Sequence, residues 1–458
     1  MTAPILTAAR MRAAEEVVIA AGTSVETLMD RAGHGAAESA WFFAGGVETL
    51  IVCGPGNNGG DGYVIAHYLR QRGVTVRVAA LSEPRTPAAI AARAQWGDSV
   101  TTLEDARPAE LFVDALFGTG LGRGLDAETA GHLDRLARGS RYSVAIDLPS
   151  GVATDDGAIL SPIPAYDMTV ALGALKPAHL LQPAARFMGR LVTIDIGLGE
   201  IDRTMIRIDR PRLPTPGPRS HKYNRGAVGI IAGVMPGAAI LAASAAQHAG
   251  AGSVALSGSA PGGPAALIRK SEQAILDDER LGALLIGPSL GRDRDAAKKL
   301  DAAFVSKRPL VLDADALTLM GSGVARHVAK GAPLPILTPH SGEFERMFGD
   351  LPGSKIDRAR AAAAQSGAVI VCKGADTVIA HPDGRVAVAA PSSSWLASAG
   401  TGDVLAGIAA TMLAQMADPF LAAQAAVWLH GDAARRAGPL LIADDLVTHL
   451  REAAAACL

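Results

Sequence analysis

The stretch TLIVCGPGNNGGDGYVIA, Thr49 to Ala66, decides how the first half of the chain is read. A β-branched run ending at Cys53 gives way to Gly54-Pro55-Gly56-Asn57-Asn58-Gly59-Gly60-Asp61-Gly62, and then to apolar Val64, Ile65 and Leu69 at helical spacing. Strand, glycine-rich loop and helix in that order make a βα turn. Glycines permit positive φ and let backbone N–H groups approach a ligand, and a helix N-terminus favours an anion such as phosphate. The loop is not G-x-G-x-x-G, and Asn57, Asn58 and Asp61 bring more polarity than a plain turn needs. Open α/β sheets bind their ligands at the carboxyl ends of the strands, where this loop falls.

Outward from this loop, short β-branched runs alternate with amphipathic or Ala-rich segments. After a helical region from Arg10 to Ala40, strands are expected in TLIVCG, in VTVRVAAL from Val74, in LFVDALFG from Leu111, in SVAIDLPSG from Ser143 and in RLVTIDIGL from Arg190. This is a βαβ pattern, hence a mostly parallel sheet covered by helices. Periodicity stops between Ile201 and Ser220, where Pro211, Pro214, Pro216 and Pro218 oppose both helix and ladder. A second alternation follows, with strands in VGIIAG, SVALSG, ALLIGPSLG, PLVLDADAL, PILTPH, AVIVCKG and TVIAHPDG and Ala-rich helices from Asp403 onward. The expected organisation is a domain over 1–210, a Pro-rich linker over 211–218 and a different α/β domain over 219–458.

Composition narrows the function classes. The 458 residues suffice for two to four domains. Lys+Arg at 43 against Asp+Glu at 45 argues against a basic nucleic-acid binder. Cys53, Cys372 and Cys457 form no Cys-x-x-Cys pair and no even set, so a reducing cytoplasm is expected. Charges at Arg10, Arg12, Glu15 and Glu16 interrupt any signal-peptide core, and Pro236, Gly250, Gly252 and Pro261 break the long uncharged stretch Gly226 to Ile268 into buried α/β pieces. Neither nucleic acid nor membrane is expected as a partner; small molecules and a homo-oligomer are.

Several strand ends carry polar groups. Asp114 lies in VDALFGTGLGRG, Asp147 and Ser150 lie in IDLPSG, and Gly118 to Gly124 form a second anion-friendly loop. A lone aspartate at a strand end is more often a cap, but several at one sheet edge suggest a site. Side-chain oxygens of Asn58, Asp114 and Ser150 are hard donors, suited to an alkali or alkaline-earth cation rather than zinc. In the second half, Ala399-Gly400-Thr401-Gly402-Asp403 leads a glycine-rich turn into a helix. Such a turn can stabilise developing phosphate charge, and Asp403 is placed to take a proton from a hydroxyl, which suggests phosphoryl transfer. Ser220 to Gly226 (SHKYNRG) supplies cations that could meet phosphates or stand as a solvated linker. Thr338-Pro339-His340-Ser341-Gly342-Glu343 and Lys373-Gly374-Ala375-Asp376-Thr377 end two further strands.

GPGNNGGDG, VDALFGTGL and AIDLPSGV, with TLMDRAGHGAAE before them and ALKPAHLLQP and VTIDIGL after, resemble the NAD(P)H-hydrate epimerase family. The resemblance implies a Rossmann-like three-layer α/β/α fold that interconverts the R and S epimers of 6-hydroxylated NADH and NADPH. It implies that Asn57, Asn58, Gly59, Gly60 and Asp61, with Gly118, Thr119, Gly120, Leu121, Gly122, Arg123 and Gly124, hold the dinucleotide. It further implies that Asn58, Asp114 and Ser150 hold potassium and that Asp147 meets the hydrated ring as acid/base.

HKYNRG, MPGAAILAASAA, GPSLG, LDADAL, LTPHSGEF, VCKGADTVIAHPDG and AGTGDVLAG, in that order, resemble the NAD(P)H-hydrate dehydratase family, whose fold is ribokinase-like. This implies ADP-dependent dehydration of the S epimer with Mg²⁺ on the nucleotide. Ala238, Gly291, His340 and Asp403 would contact the hydrated cofactor, Lys373, Gly374, Ala375, Asp376, Thr377 and Gly402 would contact AMP or ADP, and Asp403 would be the base. Two alternatives stay open at this point: a ribokinase-like kinase of a small hydroxylated molecule, and a first domain that serves as a protein-interaction module.

Overall fold

The computed structural model describes residues 3–258, 261–328 and 331–458. The chain divides into two compact units, Ala3–Met205 and Ile206–Leu458. The division falls five residues before the expected end of the first domain at residue 210. The segment read as a Pro-rich linker is not free chain: Leu213 is buried in the core of the second unit, and its N–H donates to the Cys457 carbonyl at 3.1 Å. Prolines stop helix and ladder, but they do not stop a segment from seating an apolar side chain.

The first unit holds a sheet of seven strands among the described residues: β1 (Thr49–Cys53), β2 (Val76–Ala80), β3 (Thr101–Thr102), β4 (Leu111–Ala115), β5 (Tyr142–Ile146), β6 (Met168–Leu172) and β7 (Arg190–Ile194). Their order is β3-β2-β1-β4-β5-β6-β7, and every pair is parallel. Along β1, Ile51 and Cys53 enter one core cluster and Leu50 and Val52 the other, so both faces of the sheet are covered and the strand reads as a continuous apolar run. The expected helical region near the N-terminus is two helices, Ala8–Ala20 and Val25–Ala44, separated by a turn and restarted by Ser24, whose side chain accepts from Thr27 N–H. Strand order reverses between β1 and β4. The loops that follow those two strands therefore open a crevice, the position where such sheets bind ligands.

The second unit contains β8 (Met205–Arg207, at the division), β9 (Ala227–Ile231), β10 (Ser253–Ser257), β11 (Ile268–Lys270), β12 (Ala283–Ile286), β13 (Leu310–Leu312), β14 (Ile336–Leu337), β15 (Val369–Cys372), β16 (Val378–Ala380) and β17 (Val386–Val388). The order is β11-β10-β9-β12-β13-β14-β15-β16-β17-β8. From β11 to β15 the pairing is parallel, and β15-β16-β17 is an antiparallel meander. Ala-rich helices Pro236–His248, Thr401–Gln415, Pro419–Ala437 and Ala443–Ala455 cover one face with a single large core. Small side chains permit close approach there: a Cβ on Gly407 would overlap the Ala242 carbonyl. Both units have the expected α/β class. Cys53, Cys372 and Cys457 are free and buried, and among the described residues no helix is long and apolar enough to cross a membrane.

Candidate active sites

In the first unit a cleft of about 610 Å³ opens at the carboxyl ends of β1, β4, β5 and β6. Asn57, Asn58 and Asp61, Gly118 to Arg123, and Asp147 all line it, together with Met11, Arg12, Glu15, Thr86, Leu172 and Lys176, which sequence reading did not assign. Helix Asn57–Gln71 has Gly56 as its N-cap and no side-chain cap, whereas Thr86 and Asp126 cap their own helices with side-chain oxygens. Its first N–H groups stay available for an anion.

The glycines of this loop act differently from the expectation. None of Gly54, Gly56, Gly59, Gly60 and Gly62 has positive φ. Four of them are needed for close approach: a Cβ on Gly59 would overlap the Gly54 carbonyl, one on Gly54 the Leu116 carbonyl, one on Gly60 would press on Met29 and one on Gly62 would stand 2.7 Å from Cys53 Sγ, whereas a Cβ on Gly56 would meet open space. Gly59 and Gly60 therefore support the cleft from behind, and Gly124 packs on the Leu160 carbonyl outside it. In the second loop Gly120 does adopt φ +102°. A Cβ on Gly118 would press on Asp147 Oδ2 and Asn58 Oδ1, which shows how tightly the two loops meet.

Asp147 follows β5 with φ +64°. Its Oδ2 accepts from Thr119 N–H at 2.7 Å and Thr119 Oγ1 at 2.6 Å, and its Oδ1 accepts from the ammonium of Lys176. Lys176 is fully buried and also donates to the Leu172 carbonyl at 2.7 Å. Burial alone would raise the Asp147 carboxyl, but the Lys176 charge overrides it and holds the group below the usual carboxylate value. His179 accepts from Lys176 N–H at Nδ1 and meets the Asp147 carbonyl with Nε2 at 2.7 Å; burial pushes it down to about 4, so it is a neutral brace. Asp61 is buried too, with no hydrogen-bond or ion-pair partner among the described residues. Burial, then the neighbouring Asp147 and Glu15 carboxylates, push it well above the ordinary range.

Of the three residues expected to hold potassium, Asn58 lines this cleft, while Asp114 and Ser150 are fully buried and not part of its lining. Asp114 is fully buried and accepts from Leu116 N–H, Ser150 Oγ, Ser150 N–H and Tyr166 OH at 2.6–3.1 Å. Ser150 Oγ also accepts from Phe117 N–H at 2.9 Å. Asn58 Nδ2 is buried without a partner. Its amide orientation is not fixed by the protein, so the oxygen can be presented instead, and the donors are all hard oxygens of the kind an alkali cation takes.

In the second unit the chemistry again gathers at strand carboxyl ends. Asp313 follows β13, Thr338 to His340 follow β14 and Lys373 follows β15. Asp313 Oδ1 accepts from Lys373 Nζ at 2.8 Å and from Thr338 Oγ1 at 2.7 Å. Asp403 stands in the first turn of helix Thr401–Gln415, whose N-cap, Gly400, has φ +86° and offers no side-chain cap. A Cβ on Gly402 would lie 3.4 Å from Lys373 Nζ, which places the lysine beside this helix start. Burial, then the Asp313 charge, raise Asp403 to about 6, with Lys373 opposing.

The remaining expected residues divide. Gly374, Ala375 and Thr377 line a cavity of about 300 Å³ with His430, Gly431 and Arg435, while Asp376 forms an ion pair with Lys355 at 2.7 Å. Gly291 has φ +83° and donates its N–H to Asp315 Oδ2 at 3.0 Å; Ala238 lies in the first turn of helix Pro236–His248. His340 caps helix Ser341–Phe348, its Nδ1 accepting from Gly342 N–H at 3.0 Å, and remains 56% exposed at its side chain. The SHKYNRG cations do not join them: this segment enters the amino end of β9, the opposite edge from Asp403.

Comparison with known proteins fits this geometry. The NAD(P)H-hydrate dehydratase family matches residues 228–453, and the YjeF-related protein N-terminus matches residues 25–178. A relative from Mycobacterium tuberculosis, named a bifunctional NAD(P)H-hydrate repair enzyme, is 35% identical over 386 residues, 81% of this chain and 80% of its own length. A protein of the same name from Salinibacter ruber is 32% identical over 99% of this chain and 96% of its own. The chain belongs to the bifunctional NAD(P)H-hydrate repair enzyme family. Among solved structures, an ADP/ATP-dependent NAD(P)H-hydrate dehydratase from Bacillus subtilis co-crystallised with ATP/Mg²⁺ is 33% identical and covers 54% of this chain and 95% of its own, with a TM-score of 0.48. The matched regions hold Asn57 to Lys176 of the first cleft and Asp313 to Asp403 of the second unit, while Met11, Arg12 and Glu15 of the first cleft lie before the match. Across the two sites, the sequence singled out Asp147 and Asp403 as candidates but gave no role to Lys176, Glu15, Asp313 or Asp315. The signal for Lys176 was present, since it is the only Asp, Glu, Lys or Arg between Asp167 and Arg186.

Proposed function

We propose that the first unit interconverts the R and S epimers of 6-hydroxylated NADH and NADPH, and that the second dehydrates the S epimer to NAD(P)H at the expense of ADP, giving AMP and phosphate. The observation that carries the second reaction is Asp403, at an uncapped helix start and raised to about 6, where it is ionised at neutral pH yet a far better base than a solvated aspartate. Asp403 takes the proton of the ring hydroxyl. That oxygen attacks the β-phosphorus of ADP and AMP departs. The phosphorylated oxygen then leaves C6 as phosphate, pushed by the ring nitrogen's electron pair, and loss of a C5 proton forms the double bond. Backbone N–H groups at Gly400 to Gly402 face the charge that develops on phosphorus. Lys373, Gly374, Ala375, Asp376, Thr377 and Gly402 hold the nucleotide, and Ala238, Gly291 and His340 hold the hydrated cofactor.

Among the described residues no group of three or more His, Cys, Asp or Glu side chains forms a metal cage. Magnesium would accordingly be carried by phosphate oxygens, supplying charge neutralisation between them. Potassium held by Asn58, Asp114 and Ser150 would supply a fixed positive charge beside the anionic substrate of the first unit. The test supplies the S epimer, ADP and Mg²⁺ and follows NADH absorbance. Recovery of NADH with stoichiometric AMP is expected; stable phosphorylation of an unrelated alcohol with no recovery would instead mark the second unit as a kinase.

A further inference from the structure

Of the three carboxyls lining the first cleft, Glu15, Asp61 and Asp147, only Asp147 is bonded to the Lys176 ammonium, and the epimerisation needs both an acid and a base. We propose that Asp61 is the general acid of this reaction, protonating the C6 hydroxyl of the hydrated cofactor, while Asp147 is the base that receives a proton from the incoming water. This rests on the epimerase reading of the first unit and goes beyond a dinucleotide-holding role for Asp61.

Asp61 projects from helix Asn57–Gln71 into the cleft, is 7% exposed, and has no partner donating to it among the described residues. A buried carboxylate left without a donor is costly enough that the group takes up a proton instead. The groups facing it are Glu15 from helix Ala8–Ala20, Asp147 after β5 and Lys176 after β6. Three cations line this cleft, Arg12, Arg123 and Lys176, and Lys176 is the one whose ammonium is bonded to Asp147. The lysine thus fixes which aspartate is ionised and leaves Asp61 as the proton carrier. Opposed environments of this kind assign acid and base roles to two like groups.

The chemistry balances without an oxidant or reductant. The C6 carbon carries both the hydroxyl and the ring nitrogen. Protonation of the hydroxyl by Asp61 lets the C6–O bond break, water departs, and the nitrogen's electron pair forms a C=N cation. A second water adds to the other face of C6 and gives its proton to Asp147. Solvent returns the proton from Asp147 to Asp61. One water leaves and one enters per event.

The experiment follows a pure epimer of hydrated NADH in H₂¹⁸O with the full-length enzyme. Wild type should speed interconversion above the spontaneous rate and place one solvent oxygen on C6 in each product molecule. Asp61→Asn should lower kcat by about 100-fold or more with KM little changed. The wild-type rate should fall as pH rises through the raised Asp61 titration, and this limb is read without any variant that could misfold. No acceleration by wild type would remove the epimerase reading itself. Acceleration with the C6 oxygen retained, as ring opening and closure would give, or an undiminished kcat in Asp61→Asn, would overturn the role of Asp61 alone.

Discussion

In the first unit Lys176 is bonded to Asp147, the aspartate that faces the cleft; in the second, Lys373 is bonded to Asp313, one group away from Asp403. Both lysines and all three aspartates sit just past the carboxyl ends of strands or at a helix start. The materials are the same and the pairing differs. Direct pairing holds Asp147 below the ordinary carboxylate value, while pairing with a third party leaves Asp403 raised to about 6 by burial and by Asp313. Both carboxyls are pushed up by burial, and the neighbour to which the nearby lysine is bonded decides whether that push is overridden, as each unit's proposed step requires. Asp147 needs only to be ionised beside a solvent-derived proton, whereas Asp403 must draw a proton from an alcohol.

The largest effect should come from removing the base that no lysine holds. Asp403→Asn should lower dehydration by about 10²–10⁴-fold while epimerisation stays at the wild-type rate, measured with purified S and R epimers on one preparation. Breaking the direct pair should act on stability first. Lys176→Met leaves Asp147 buried without its cation and should cost about 3–5 kcal/mol, read by urea denaturation followed on the first unit. Because the folded-state value of Asp147 is depressed, the stability from this pair is present above the unfolded carboxylate value and disappears as pH falls through the folded one, so wild type and variant should converge in acid. A variant as stable as wild type at neutral pH would mean that the ion pair is dispensable.

Much of this was legible in sequence, for physical reasons that also mark where reading stopped. Strands such as Ala283–Ile286 and Val369–Cys372 are buried along their whole length, so they appear as uninterrupted apolar runs. Strands Thr101–Thr102, Met205–Arg207, Ile268–Lys270 and Val386–Val388 have two or three residues each and are not among the expected strands, and neither is Met168–Leu172, which is five residues long and buried throughout, so shortness accounts for only some of the missed strands. Asp147 and Asp403 stand out as candidates because a strand end and a helix start are local features. Lys176 and Asp313 do not, because their roles depend on partners 29 and 60 residues away. Of the two reasons expected for the glycines of the first loop, positive φ does not hold: sequence cannot tell a positive-φ glycine from one that makes room for a carbonyl, and the latter holds at Gly54 and Gly59.

The pH dependence of dehydration in wild type and in Asp313→Asn tests the pairing argument most directly. In wild type kcat/KM should fall as pH drops through about 6, the value to which Asp403 is raised. Asp313→Asn removes a carboxylate that raises Asp403 and frees Lys373 to lower it, so the acid limb should move to lower pH while the fold, checked by circular dichroism, is unchanged. An acid limb that stays in place, or moves upward, would contradict the assignment of Lys373 and Asp313 as the groups that set the proton affinity of Asp403.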